Sequence, residues 1–441
     1  MDLDPTRAAH VPGAYLLLKS PAIGGVPAQR LPEVSQTVSE MLTTIERKGL
    51  DAVLDYSRRL DGWGGGPIEL TPHALGHTGD LLDAELRASL EAGADRTRRF
   101  AELQREGLTG GEAEIVPGVV AGYHYVPVGH VGAYLPAGRF PILASAFMTV
   151  GVAKAAGVPT VTACTPPESP ERGNPAVLYA AHLAGVDRAF VLGGVQALAA
   201  MAFGLLDGQP VDMLVGAGNA YVTEAKRQLF GVVGIDLLAG PSEVAVIADD
   251  TADAEMVAAD LLAQAEHGPQ SPAALVTTSR ALAEGVIEEV DRQLGTLSTR
   301  EIAGAAWRDY GRVYWVESPE TAVAVMDILA PEHLEVITED DEWYLKHLTN
   351  YGSLFLGPWS TVAYSDKGIT GTNHVLPTGG VARSSAGLSV SRFLRPLTYQ
   401  RVTEAATPYL APHVERISSF EGMAAHGASA TLRSRRFGVS H

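Results

Sequence analysis

From about residue 118 onward, short β-branched or apolar runs alternate with Ala-rich amphipathic segments. The runs are Val158–Thr165, Ala189–Gly193, Met213–Val215, Val244–Ala248, Ala274–Thr278, Val313–Val316, Glu335–Thr338 and Ser353–Leu356. Between them lie helix-like stretches such as Phe147–Gly157, Val177–Gly185, Val195–Phe203, Ala220–Phe230, Ala252–Glu266 and Arg280–Leu294. Strands that alternate with helices build parallel sheets through βαβ crossovers, so the fold class is α/β. The alternation separates into two blocks, about Gly132 to Ile235 and about Ser242 to Gly357. The first hundred residues read as helical: Glu33–Asp55 and Asp80–Gly107 carry apolar residues at helical spacing, for example Leu82, Leu86 and Leu90. The run Gly62-Trp63-Gly64-Gly65-Gly66-Pro67 between them reads as a loop. After Gly387 the pattern turns helical and polar again, ending in a solvated basic tail at Arg433–Arg436.

Composition narrows the function classes. The chain has 441 residues, 46% of them apolar and 19% charged, which suits a core-rich globule and excludes a largely disordered chain. Its net charge of −18 repels phosphate backbones and anionic membrane surfaces, so neither nucleic acid nor membrane is an expected partner. Cys164 is the single cysteine, so a metal would be held mainly by His, Asp, Glu or amide oxygen. The acidic start Met1–Pro5 lacks the basic and apolar regions of a secretory signal, and no apolar run approaches membrane-spanning length. A cytoplasmic location is expected.

Several segments concentrate groups that carry chemistry. Gln264 and His267 stand three apart at the end of a helix-like stretch and can share one face. An amide oxygen and an imidazole make a zinc or manganese half-site, although a helix-terminal His also gains from the helix dipole. Glu332-His333 precedes a strand-like run and offers a carboxylate and an imidazole for proton transfer, or simply a solvated turn. Asp366 to Gly380 collects Asp366, Lys367, Asn373, His374 and several glycines with little apolar periodicity, as binding loops do. Glu421 and His426 sit near the C-terminus on what reads as a surface helix. Gly193–Gln196 and Gly216–Asn219 each follow a strand and precede a helix, where free N–H groups receive phosphate. The second is only a partial G-x-G, and a plain tight turn has the same residues.

Taken in order, these segments resemble the histidinol dehydrogenase family. The resemblance rests on Gly132-Ala133-Tyr134-Leu135-Pro136, Gly193-Gly194-Val195-Gln196-Ala197, the stretch Gly218 to Arg227, Ala239-Gly240-Pro241-Ser242-Glu243, Ala263 to Gly268, Pro331-Glu332-His333-Leu334, and Gly371 to Thr378. It implies a zinc- and NAD-dependent oxidation of a primary alcohol to a carboxylate through a bound aldehyde. By that resemblance Gln264, His267, Asp366 and His426 hold Zn2+, with His426 supplied by the partner of an intertwined homodimer. Glu332 and His333 do the proton chemistry; Ser242, His374 and Glu421 contact substrate; Tyr134, Gln196 and Asn219 contact NAD+. The implied architecture is two incomplete Rossmann-like domains with a swapped C-terminal tail. Its divisions are an arm over 1–29, a metal-bearing domain over 30–129 plus 242–388, an NAD-binding domain over 130–241 and a dimerisation tail over 389–441.

Two departures bear on substrate. Leu143-Ala144-Ser145 stands where histidinol dehydrogenases usually carry Pro-Ser-Ser, and Lys367 follows the metal Asp where they carry an aromatic residue. Gly138-Arg139-Phe140-Pro141, Ala306–Tyr310, Asn350–Leu356, Asp366-Lys367 and Leu397–Gln400 look like the sulfopropanediol dehydrogenase branch of the family. A cation such as Lys367 or Arg383 suits an anionic head group better than cationic histidinol, which makes Lys367 a further substrate-contact candidate. In contrast, Gly379–Ser385 is close to histidinol-type sequences. A zinc hydrolase using the same ligands, and a non-catalytic binding protein, are the rival readings.

Overall fold

The strand-like runs do form two sheets of six strands each in a computed structural model, which describes residues 5–9, 11–23, 32–138 and 140–437. The first sheet has the order Gly234–Ile235, Met213–Val215, His130–Tyr134, Thr160–Thr165, Arg188–Val191, Glu69–Leu70. Every pair in it is parallel except the last, where Glu69–Leu70 adds antiparallel. The second has the order Tyr15–Lys19, Arg312–Val316, Ala273–Thr277, Val244–Ala248, His333–Ile337, Ser353–Leu356, again parallel but for its N-terminal edge strand. Central strands such as Val244–Ala248 and Ala273–Thr277 are buried along their whole length. Helices cover both faces of such a sheet, so these strands are apolar throughout instead of alternating.

Helix starts follow local chemistry. Asn219 caps Ala220–Leu229 by accepting from the Tyr221 and Val222 N–H groups, and Asp253 caps Ala254–Ala265 in the same way. Pro175 and Pro319 occupy first-turn positions where no N–H is needed.

The helices of residues 32–106 pack through their apolar stripes. The stripe Val34, Val38, Met41 and Ile45 of helix Pro32–Lys48 docks on Phe190, Leu192, Leu198 and Leu214 of the 130–235 unit. Helix Ala84–Glu106 buries Leu90 and Ala101 against Phe147, Met148 and Val150 of the same unit. The apolar stripes of both helices thus rest chiefly on the 130–235 unit, whereas the division expected from the resemblance joins 30–129 with 242–388. Helix Ala84–Glu106 also meets the 367–388 segment: Arg96 donates to the Ile369 carbonyl at 3.0 Å, Gly93 passes close to the Lys367 and Gly368 carbonyls, and Val375 and Leu388 join the cluster of Leu90 and Ala101. Of the expected arm over 1–29, the described part contributes strand Tyr15–Lys19; residues 24–29 lie outside the described residues, as does Arg139.

The segment after Gly387 is not helical throughout. Leu394–Val402 pairs antiparallel with Val119–Pro127, which also pairs with Gly111–Val116. Helices Thr407–Glu421 and Ala424–Phe437 follow, packed on each other and on the short turn Glu404–Ala406. Among the described residues, no helix is long and apolar enough to cross a membrane.

Candidate active site

A cavity of about 530 Å3 lies between the two sheets, lined from the first by loops at the carboxyl ends of His130–Tyr134 and Met213–Val215, and from the second by segments at the amino ends of Val244–Ala248 and His333–Ile337. Tyr134 and the Ala217–Asn219 loop line it from the first unit. Ser242, His267, Glu332, His333, Asp366, Lys367 and His374 line it from the second. Gln264 lies just behind Ser242 and donates its Nε2 to the Ser242 Oγ at 2.7 Å.

His333 opens strand His333–Ile337 and is fully buried. Its Nδ1–H donates to the Glu243 carbonyl at 3.0 Å, which leaves Nε2 as the lone-pair nitrogen. That Nε2 is buried without a hydrogen-bond partner and lies 3.8 Å from Asp366 Oδ1. Burial lowers the His333 pKa to about 4, so the ring is neutral and able to accept a proton near pH 7. Glu332 turns back from the same strand end. Its Oε2 accepts from Ser242 Oγ at 2.6 Å and from the Glu243 N–H at 2.9 Å. Burial nevertheless pushes its carboxyl well above the ordinary range, against those two donors.

The donor set for a metal passes a test of fit. Gln264 has committed its amide nitrogen to Ser242, and its Oε1 is buried with no hydrogen-bond partner. An orphaned acceptor of this kind is costly unless something electropositive meets it. His267 Nε2 lies 3.3 Å from Asp366 Oδ2. Burial would raise the Asp366 pKa, but the His267 hydrogen bond and the imidazoles of His333 and His374 hold it well below the usual carboxylate range. An amide oxygen, an imidazole and an ionised carboxylate are a zinc-type set one ligand short. Among the described residues there is no group of three or more His, Cys, Asp or Glu that could hold a metal ion.

His374 is held by its own loop. Asn373 Nδ2 donates to the Met148 carbonyl at 2.9 Å, in a π-helical turn over Phe147–Gly151. His374 Nδ1 donates to the Asp366 carbonyl at 3.2 Å, and its Nε2 accepts from Ser145 Oγ at 3.1 Å. The far end of the loop is tied down by Gly379 N–H to Glu243 Oε1 at 2.9 Å. Lys367 follows helix Val362–Asp366 and stands on the cavity wall.

The expected cofactor contacts gather next door. A second cavity of about 550 Å3 is lined by Asp61, Gly194, Gln196, Asn219 and Tyr221, sharing Asn219 with the first. The Tyr134 hydroxyl accepts from the Gly194 N–H at 3.1 Å, and burial raises its pKa to about 12. Gln196 donates Nε2 to Asp61 at 2.7 Å. Asp61, Ser145 and Glu243 were given no role from the sequence: Asp61 ends a helical turn before a Gly-rich stretch, Ser145 and Glu243 entered only as parts of motifs, and Glu243 acts largely through its backbone. Glu421 and His426 are not brought to either cavity within the chain; both are exposed on the C-terminal helix pair.

A stability measurement tests the His333 environment. Between its folded pKa of about 4 and the ordinary 6.5, the folded state binds fewer protons than the unfolded chain. Stability of chelator-treated protein should therefore fall as pH drops from about 6.5 to 4, by up to ~3 kcal/mol from this group. In urea titrations across that window, His333→Gln should flatten the slope by this amount; an unchanged slope contradicts the assignment.

Comparison with known proteins shows the family of the chain. Residues 26–434 match the family described as histidinol dehydrogenase. The chain is 48% identical over 406 residues to a histidinol dehydrogenase homolog of Shouchella clausii, covering 92% of this chain and 95% of that one. It is 45% identical over 407 residues to a sulfopropanediol 3-dehydrogenase of Ruegeria pomeroyi, covering 92% and 93%. A crystal structure of histidinol dehydrogenase from Elizabethkingia anophelis superposes with a TM-score of 0.89 at 32% identity, covering 99% of this chain and 97% of that one.

Proposed function

Because the chain belongs to the histidinol dehydrogenase family, whose members are NAD-dependent oxidoreductases and in general bind zinc, we propose that it oxidises a small polar primary alcohol to its carboxylate with two NAD+. The observation that carries this reading is the neutral His333 Nε2 set beside Asp366, which also meets His267, together with the buried and unpartnered Gln264 oxygen. Gln264, His267 and Asp366 would hold zinc, completed by His426 from the second copy of a homodimer. When bound, zinc supplies Lewis acidity toward the substrate oxygen and NAD+ accepts hydride.

The chain's own residues handle the protons. His333 Nε2 takes the carbinol proton, and its Nδ1–H stays anchored on the Glu243 carbonyl so that the receiving nitrogen is fixed. Glu332, made more basic by burial, takes a proton from the water that hydrates the aldehyde. Ser242 links Gln264 to Glu332, so the amide oxygen and the carboxylate are oriented by one hydroxyl. Tyr134, Gln196 and Asn219 would contact the cofactor, and His374, Ser242, Lys367 and the partner's Glu421 the substrate.

The preferred substrate is an anionic three-carbon alcohol of the sulfopropanediol type, supported by Lys367 on the cavity wall. L-histidinol is the second reading, favoured by the histidinol-type stretch Gly379–Ser385 and by carboxylates suited to a cation. The test is a panel of histidinol, dihydroxypropanesulfonate and phosphonate analogues followed by NADH absorbance. Two NADH per dihydroxypropanesulfonate consumed supports the proposal. A kcat/KM of ~10⁴ M⁻¹s⁻¹ or more with L-histidinol reverses the substrate preference, and ester or amide cleavage without NADH overturns the reaction class.

A further inference from the structure

The loop Gly216–Asn219 leaves the sheet abruptly. Gly216 has φ +115°, and a Cβ there would meet the Tyr134 carbonyl oxygen at 2.2 Å, so only glycine lets the two strand ends approach this closely. Having turned out of the ladder, the buried Gly216 residue needs other partners for its N–H and C=O. It finds them in two side chains of opposite charge. Asp236 Oδ2 accepts the Gly216 N–H at 2.8 Å, and Lys226 Nζ donates to the Gly216 carbonyl at 2.8 Å. Lys226 and Asp236 also pair with each other, and Asp236 Oδ1 accepts the Leu237 N–H at 2.6 Å. Both side chains are 2–3% exposed, and neither lines either of the two cavities described above.

Burying two charges costs several kcal/mol, and apolar replacements are often as stable or more so. Bulk stability is thus a poor account of this pair. Its geometry is specific instead: one charge grips each pole of the residue from which Ala217, Gly218 and Asn219 run along the reaction cavity, and Asn219 is the residue shared with the second cavity. We propose that Lys226 and Asp236 are positioning residues that clamp Gly216 and thereby set the Gly216–Asn219 loop for NAD+; this rests on the reading of that loop as a cofactor contact.

The test uses Lys226→Met/Asp236→Asn, which buries no lone charge and keeps an oxygen for the Gly216 N–H. NAD+ affinity by calorimetry, steady-state kinetics, zinc content and amide exchange over 216–219 are measured on the intact protein. The expected result is NAD+ Kd and KM raised about tenfold or more, kcat at saturating NAD+ within about threefold, zinc retained, and faster exchange confined to the loop. NAD+ affinity within about twofold of wild type, in a variant that keeps its zinc, overturns the clamp. Parallel loss of zinc, NAD+ affinity and melting temperature overturns it in favour of a purely structural pair. Where the double variant does not fold, Lys226→Gln/Asp236→Asn, which likewise buries no lone charge, must show the same KM-against-kcat split, and its absence is equally decisive. Wild-type protein that binds no NAD+ defeats the cofactor reading itself and the clamp with it, which separates that failure from the clamp's own.

Discussion

Replacing His333 by alanine is expected to lower kcat by about 10³-fold, within the ~10²–10⁴ that a positioned general base contributes. The residue combines burial, a fixed tautomer and an unpartnered Nε2 facing the cavity, and among the described residues no other imidazole there has a buried nitrogen left without a partner. His333→Gln, which fills the space, should lose activity similarly while keeping zinc and NAD+ binding. More than a tenth of wild-type turnover in either variant removes His333 from the proton chemistry. Glu332→Gln gives the contrast: in single-turnover runs begun from alcohol or from aldehyde, the aldehyde step should suffer more. Equal losses in both half-reactions contradict the role assigned to Glu332.

The second large effect concerns His426. Alone, His426→Ala should remove most of the zinc and activity, because on the proposed ligand set the three donors of one chain leave a fourth position open. Co-expression with His333→Ala provides a sharper readout. If each site takes its last imidazole from the other subunit, a mixed dimer contains one site with both native residues. Random pairing then restores ~25% of wild-type activity from two nearly inactive parents. No recovery in a verified mixed dimer places His426 outside the partner's site.

Much of the frame was legible in the sequence because parallel strands buried on both faces have a distinctive composition. Met213–Val215, Val244–Ala248, Ser353–Leu356 and helix Arg280–Leu294 stand where their patterns place them. The edge strands were not legible. Tyr15–Lys19 and Glu69–Leu70 are short and partly wet, and Leu394–Val402 is mostly exposed, so ladder hydrogen bonds hold it and no apolar period marks it. The site divides along similar lines. Gln264, His267, Glu332, His333, Asp366 and His374 announce themselves by residue type, whereas the Glu243 carbonyl that orients His333 is a backbone atom with no letter of its own. Ser145 meets His374 and Asp61 meets Gln196, partners more than a hundred positions away, a relation that no local window contains.

The C-terminal helix pair leaves Phe420 95% exposed, with Ile417 and Tyr409 about 60% exposed beside it. Wet aromatic and branched side chains in such number make a lone chain adhesive. On the proposed arrangement the segment that makes an orphaned chain sticky is also the one that delivers its neighbour's final ligand. Assembly and competence would then rise and fall together, so diluting the protein below its self-association constant should silence it before it unfolds.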